Sequence, residues 1–241
     1  MARALQIQNE ITDPAVPFVQ ALEARGFEVE TIHPYAGEPL PETLDGFAAV
    51  VAGGGLVDTH QAHEHRWLGH EIELVAQAIA TSTPYIGLCL GAQVLTEAAG
   101  GTVYRCDPHE VGWHEVELLP AAADDPLFGG LPSRFRTMQW HYYACRPDGA
   151  AVELATNTAA LQALRVGECA WGTQFHIEAT REMLLGWLDM GGDELAANGY
   201  PRDVYVRSVD DHYDQHAAVG ETLATRFAEL AADRLAMRSA G

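Results

Sequence analysis

An α/β sheet followed by a β-rich stretch and a helical tail is the fold class predicted by three observations on this sequence. Short apolar runs alternate with helix-like stretches from the N-terminus to Gly101, β-rich texture with Pro, Gly and Asp turns fills Thr102 to about Phe175, and helix-like sequence returns from Thr180. The first pattern is what parallel strands joined by crossover helices produce.

Leu5 to Gln8 reads as a first strand, Ala15 to Arg25 as a helix stopped by Gly26, and Phe27 to Ile32 as a second strand. Ala48 to Ala52 is a third strand, ending in Gly53-Gly54-Gly55. Trp67, Leu68, Ile72, Leu74, Val75, Ala78 and Ile79 fall at helical spacing and lead through Pro84 into a strand, Tyr85 to Leu88. Gly91 to Ala99 is helical and stops at Gly100-Gly101. Candidate strands follow at Val116 to Leu119, Arg136 to Trp140, Ala160 to Val166 and Ala170 to Phe175. In the tail, Leu223, Phe227, Leu230 and Leu235 give Gly220 to Arg238 an apolar stripe expected to pack on the domain.

At 241 residues one domain is the default. With no internal repeat or long linker, the division expected is 1–180 as the chemistry-bearing domain and 181–241 as a helical extension packed on it. A net charge of -20, with 14 arginines and no lysine, argues against a nucleic-acid partner, because phosphate binding rests on clustered cations. It also excludes a lysine Schiff base and a P-loop lysine. No signal-peptide pattern and no run of roughly 18 apolar residues occurs, so neither export nor a membrane is expected and the location expected is cytoplasmic. Cys89, Cys106, Cys145 and Cys169 lie far apart with no C-x-x-C pair, which suggests four free thiols.

Of these, Cys89 stands apart. Pro84-Tyr-Ile-Gly-Leu-Cys89-Leu-Gly-Ala-Gln93 turns from strand to helix with Gly87 and Gly91 on either side of the cysteine, the pattern of a nucleophile elbow. The sulfur then sits at a helix N-terminus, where dipole and free N–H groups favour thiolate. Taken alone, the segment reads equally as a small buried cysteine between packing glycines. A nucleophile needs a base, and the base an orienting group. Trp171-Gly-Thr-Gln-Phe-His176-Ile-Glu178 supplies both, since residues two apart on a strand point to one side. The run Gly53-Gly54-Gly55 offers backbone N–H groups to a developing oxyanion, to which the N–H of Leu90 adds another.

Together these motifs resemble the class I, or triad-type, glutamine amidotransferases. The family's cysteine motif, approximately G-x-C-x-G-x-Q, matches Gly87, Cys89, Gly91 and Gln93, and its histidine motif, approximately Q-F-H-P-E, matches Gln174, Phe175, His176 and Glu178. The resemblance covers roughly residues 1 to 180, including the glycine run and the Trp140-His141 pair. It implies a flavodoxin-like, three-layer α/β domain with a mostly parallel central sheet. It also implies Cys89 as nucleophile on a γ-carboxamide, His176 and Glu178 completing the triad, Gly54 and Leu90 as oxyanion donors, and Gly53, Gln93, Trp140 and His141 near the substrate. No metal or other cofactor is implied. Two departures are visible: Ile177 replaces the usual proline between His and Glu, and Gly55 replaces the proline common at the third position of the glycine run.

After Glu178 only about 60 residues remain, too few for a nucleotide-binding synthetase. The chain therefore resembles the free-standing, GMP-synthase-like subgroup. Either it hands ammonia to a separate synthetase subunit, or it hydrolyses glutamine or another γ-glutamyl amide by itself; a non-catalytic regulatory subunit of the same fold is the rival from another class. His60, His63, His65 and His70 read as a polar loop opening a helix rather than a metal site, His212 and His216 as a solvated helix face, and Asp124-Asp125 before Pro126 as a turn. Cys106, Cys145 and Cys169 read as packing residues.

Overall fold

The computed structural model describes residues 2–149 and 151–240; Met1 and Gly241, which bound the two expected segments, and Ala150 lie outside that description. The described residues form one nine-stranded sheet. Its parallel half is made of β1 (Ala2–Ile7), β2 (Phe27–Ile32), β3 (Phe47–Ala52), β4 (Tyr85–Leu88) and β9 (Ala170–Thr173), in the order β2-β1-β3-β4-β9. The β-rich stretch is not a separate layer. β8 (Leu161–Val166), β7 (Ala151–Thr156), β5 (Thr102–Leu118) and β6 (Arg134–Arg146) continue the same sheet beyond β9 with antiparallel pairing.

Helices α1 (Val16–Ala24) and α5 (Arg202–Ala240) cover one face, and α2 (Arg66–Thr81) and α3 (Leu90–Ala98) the other. The period of two in β3 divides its side chains between them: Ala49 and Val51 join the α1/α5 side, Val50 and Ala52 the α2/α3 side. A strand buried on both faces must be apolar throughout, which is why Phe-Ala-Ala-Val-Val-Ala carries no alternation. α2 ends on Ser82 in a left-handed conformation, with the Thr83 N–H donating to Ala78 O at 2.9 Å, and Pro84 then starts the approach to β4.

The tail packs on the domain. Leu223 and Phe227 of α5 are fully buried, and Phe227 meets Phe18 of α1 edge-on at 6.3 Å; burying one such ring contributes about 1.5–3 kcal/mol. α4 (Arg181–Ala197) packs with α5 against β5 and β6 around Trp113, Met138, Leu184, Trp187 and Tyr205. No described helix is long and apolar enough to cross a membrane.

Four expectations are corrected. β5 begins at Thr102, far ahead of the expected Val116, because it pairs with β6 along nearly its whole length. β7 has no counterpart in the expectation, since half of Ala-Val-Glu-Leu-Ala-Thr is Ala and Glu, which strands disfavour, and its pairing with β5 and β8 makes it a strand. β9 ends at Thr173, so His176 and Glu178 stand on the turn that follows it rather than on a strand. Finally, His216 is buried, not solvated. Its Nε2 donates to Ala179 O at 3.0 Å and its Nδ1 accepts from the Thr137 hydroxyl at 3.0 Å, a neutral tautomer whose pKa burial pushes down to about 4.

Candidate active site

The C-terminal ends of β1, β3, β4 and β9 converge on one place, where ligands of open α/β sheets bind. Leaving β4, the chain reverses at Cys89 with φ 50° and ψ -99°, a conformation that non-glycine residues rarely hold and that costs about 1–3 kcal/mol. It is over-determined by its neighbours. The Cys89 N–H donates to Thr173 O of β9 at 2.8 Å, and α3 starts at the next residue. A Cβ on Gly87 would lie 2.3 Å from the Gly91 carbonyl, and one on Gly91 would lie 2.5 Å from Ala52 O, so the elbow closes only with both side chains absent.

A buried strut fixes the glycine run against this elbow. Gly53 O accepts the Gly91 N–H at 3.2 Å and the Asn9 side-chain amide at 3.3 Å. The same amide nitrogen donates to Glu71 Oε1 at 3.1 Å. Burial pushes the Glu71 carboxyl up to about 8, so it is a neutral acid near pH 7. A carboxyl that binds its proton more tightly when folded loses stability as pH rises from 4.5 toward 8, at about 1.4 kcal/mol per pH unit, about 5 kcal/mol in total. Glu71→Gln keeps the acceptor for Asn9 and carries no titratable proton. Denaturant melts at pH 6 and pH 9 should therefore find the variant much less alkali-sensitive than the parent.

His176 is anchored by its N–H donating to Met138 O of β6 at 3.0 Å. Its Nδ1 donates to Glu178 Oε1 at 2.8 Å, which leaves Nε2 outside that pair. A second carboxylate approaches the same nitrogen: Asp13 Oδ2 lies 3.4 Å from Nδ1. The imidazole also meets the Trp187 ring edge-on at 5.1 Å. Burial works against a charged imidazole, but Cys89, Asp13 and Glu178 outweigh it and hold the His176 pKa well above its ordinary value. Burial, then the charge of Asp13, pushes Glu178 up to about 7. Cys89 Sγ accepts from Gln174 Nε2 at 3.6 Å and lies 3.9 Å from Trp140 O, one arrangement suited to thiolate and the other to thiol. By contrast, burial pushes the Cys106 thiol up to about 11, Cys145 up to about 12, and Cys169 upward as well.

Cys89 and His176 open on a cavity of about 320 Å³ whose walls also include Asp13, Gln93, Trp140 and Trp187. Gln93 donates to Tyr143 O at 3.5 Å and leaves its Oε1 unpartnered. Trp140 lies against Gly191, where α4 departs from helical geometry, and donates to Glu194 at 3.2 Å. His141 reaches the wall but is spent on protein contacts, Nδ1 donating to Tyr143 O at 2.9 Å and Nε2 lying 3.2 Å from Glu110. Of the glycine run, Gly55 lines the cavity; Gly53 gives its N–H to Ile7 O at 2.9 Å, and Gly54 lies against Asp13 and His176. Gly91, Ala92 and Gln93 N–H groups are taken by Gly53 O and Cys89 O, whereas the Leu90 N–H has no backbone acceptor among the described residues. The His60 ring lies at the rim against Tyr143 at 5.1 Å, and His63 is exposed.

Sequence reasoning missed Asp13, Asn9, Glu71 and the α4 wall of Trp187, Met190 and Glu194. The first two sit in a polar loop with no motif, and the others read as ordinary helix.

The model of one family, glutamine amidotransferase class-I, matches residues 17–183. A glutamine amidotransferase-like protein of Salmonella typhimurium, YfeJ, is 28% identical over 84% of this chain and 86% of its own length. The glutamine-hydrolysing GMP synthase of Aeropyrum pernix is 34% identical over 64% of this chain, which spans only 30% of that synthase. A solved glutamine amidotransferase from Methylobacillus flagellatus superposes with a TM-score of 0.86 over 95% of both chains at 22% identity, a likeness of fold. Because that family model matches residues 17–183, well over half of the chain, the chain belongs to the class-I glutamine amidotransferases.

Proposed function

We propose that this chain hydrolyses the γ-carboxamide of glutamine through a glutamyl thioester on Cys89, releasing ammonia and then glutamate. One observation carries the reading: Cys89, held at a strained elbow, shares a cavity with His176, whose Nδ1 is bound by Glu178 at 2.8 Å. The Cys89 thiolate attacks the amide carbon and the Leu90 N–H takes the oxyanion, the Gly54 N–H expected to assist it being turned to the Asp13 carboxylate instead. The imidazolium of His176 gives its proton to the nitrogen as the C–N bond breaks, and ammonia leaves. Water then loses a proton to His176 Nε2 and attacks the thioester; the C–S bond breaks and glutamate departs. Gln93, with its free Oε1, and Trp140 bound the glutamyl group.

A second reading, a γ-glutamyl amide or peptide hydrolase needing no ammonia acceptor, is favoured by the far wall of the cavity. Trp187, Met190 and Glu194 of α4 lie beyond residue 183, where the family match ends, and enclose space on an apolar surface that ammonia does not need. Free glutamate should be measured from glutamine and from a series of N-substituted γ-glutamyl amides. Release from glutamine at the highest kcat/KM supports an amidotransferase whose ammonia goes to a separate synthetase subunit. A substituted amide preferred by about tenfold or more supports the stand-alone hydrolase. Absence of release from every compound, together with no reaction of Cys89 with a glutamine-mimicking electrophile, would leave only a binding subunit.

A further inference from the structure

We infer that Asp13 is a positioning residue of the active site, a second carboxylate on His176 Nδ1 that holds the imidazole in its protonated form beside the Cys89 thiolate. The inference rests on the reading of Cys89 and His176 as a nucleophile and base, and it assigns work to a residue of the loop between β1 and α1.

Three independent features point to it. The first is distance and burial: Asp13 Oδ2 is 3.4 Å from a nitrogen whose one proton already goes to Glu178 at 2.8 Å, and Asp13 is only 4% exposed. His176, Glu178 and the Gly54 N–H all reach the Asp13 carboxylate, though neither of its oxygens finds a partner in well-formed hydrogen-bond geometry. A buried carboxylate held by such imperfect contacts is strongly unfavourable unless a cation faces it, and among the described residues the only cation within reach is the His176 imidazolium.

The second feature is the space made for the contact. A Cβ on Gly54 would lie 2.1 Å from Asp13 Oδ2 and 2.8 Å from His176 Cε1, so the pair can meet only across a glycine. The third is that the loop is held. Asp13 N–H donates to Glu10 O at 3.2 Å, and Trp187 of α4 donates to Thr12 O at 3.3 Å.

The groups that face His176 are Cys89 on the elbow, Asp13, Glu178 on its own turn, the Trp187 ring on α4, and Tyr205 and His216 on α5. Of these, His216 is neutral above about pH 4 and Tyr205 is held far above its ordinary pKa by burial, so the groups that favour the imidazolium are Cys89 and the two carboxylates. Burial resists charge on Asp13, but His176 more than compensates and holds it below its ordinary value, whereas Glu178 is raised. Two carboxylates this close titrate as a pair. Glu178 Oε1 at 2.8 Å and Asp13 Oδ2 at 3.4 Å both face Nδ1, so Asp13 adds a second carboxylate to the field that favours the imidazolium.

Removing that charge weakens the imidazolium, so the alkaline limb of activity, where His176 loses its proton, should move to lower pH. For the full-length protein, kcat/KM against pH should be compared for the parent and Asp13→Asn, with the rate of Cys89 alkylation by iodoacetamide as a substrate-free readout. At pH 9 the variant should lose about tenfold or more in kcat/KM, with KM near the parent value. Coincident pH profiles, or a raised KM with unmoved limbs, would overturn the inference, the second outcome making Asp13 a substrate anchor instead. If Asp13→Asn does not fold, Asp13→Ala with added formate supplies the same test, since a small carboxylate should restore the limb. A parent enzyme that turns over no γ-glutamyl amide would sink the proposed function, and the alkylation profile would still decide the role of Asp13.

Discussion

Cys89→Ala should reduce glutamate release by about 10⁴-fold or more while leaving the protein folded. The whole covalent route passes through one sulfur atom, and nucleophile removal in comparable triads costs that much because the remaining groups have nothing to activate. Structural cost should be small. Sγ makes only long contacts, 3.6 Å from Gln174 Nε2 and 3.9 Å from Trp140 O, and alanine fills the same φ of 50° about as well as cysteine does. The melting temperature should therefore match the parent's within the change produced by about 1 kcal/mol. Retained turnover would remove Cys89 from the mechanism, and a collapse of the fold would make the loss uninformative.

Gly87→Ala is expected to have the largest effect on stability. Its Cβ would sit 2.3 Å from the Gly91 carbonyl carbon and oxygen and 2.8 Å from Ala92 N. All three are backbone atoms at the start of α3, so no side-chain rotation relieves the contact and the elbow itself must open. A cost above about 4 kcal/mol follows, a large share of the 5–15 kcal/mol that stabilises a typical domain. The expected result is an insoluble protein, or a much lower melting temperature together with loss of Cys89 labelling. Gly69→Ala provides the control, because a Cβ there meets nothing within 4 Å and α2 should gain up to about 1 kcal/mol. Similar melts for the two variants would mean that the elbow is looser than its geometry implies.

What was legible in the sequence were features with local causes. β2 and β4 fall at their expected bounds because each is closed off locally, β2 as an alternating apolar–polar run after Gly26 and β4 as a short apolar run between Pro84 and Cys89. Cys89, His176 and Glu178 were legible because each sits in a motif whose glycines or spacing are readable in one dimension. Strand alternation does not explain the histidine pair, because the two residues stand on a turn held by the Met138 carbonyl and by Ile177, which is buried in the core. Asp13 was not legible, because its meaning depends on Gly54 and His176, which the chain brings to it only through the parallel pairing of β1 with β3 and the position of β9. His216 was misread for a related reason. Its neighbours Asp214 and Gln215 are exposed, and only the packing of α5 on β6 turns the imidazole inward to Thr137. The wall of Trp187 and Glu194 shows the same dependence, since the non-helical Gly191 leaves room for the Trp140 ring, a contact that the sequence of α4 does not reveal.

The most direct test of the central claim is to mix the protein with glutamine, quench in acid after partial turnover, and locate any covalent adduct by peptide mass spectrometry. One γ-glutamyl group on the peptide bearing Cys89, absent from Cys89→Ala and lost on standing at neutral pH, is the expected result. Glutamate release with no adduct on Cys89, or with an adduct on Cys106, Cys145 or Cys169, would contradict it.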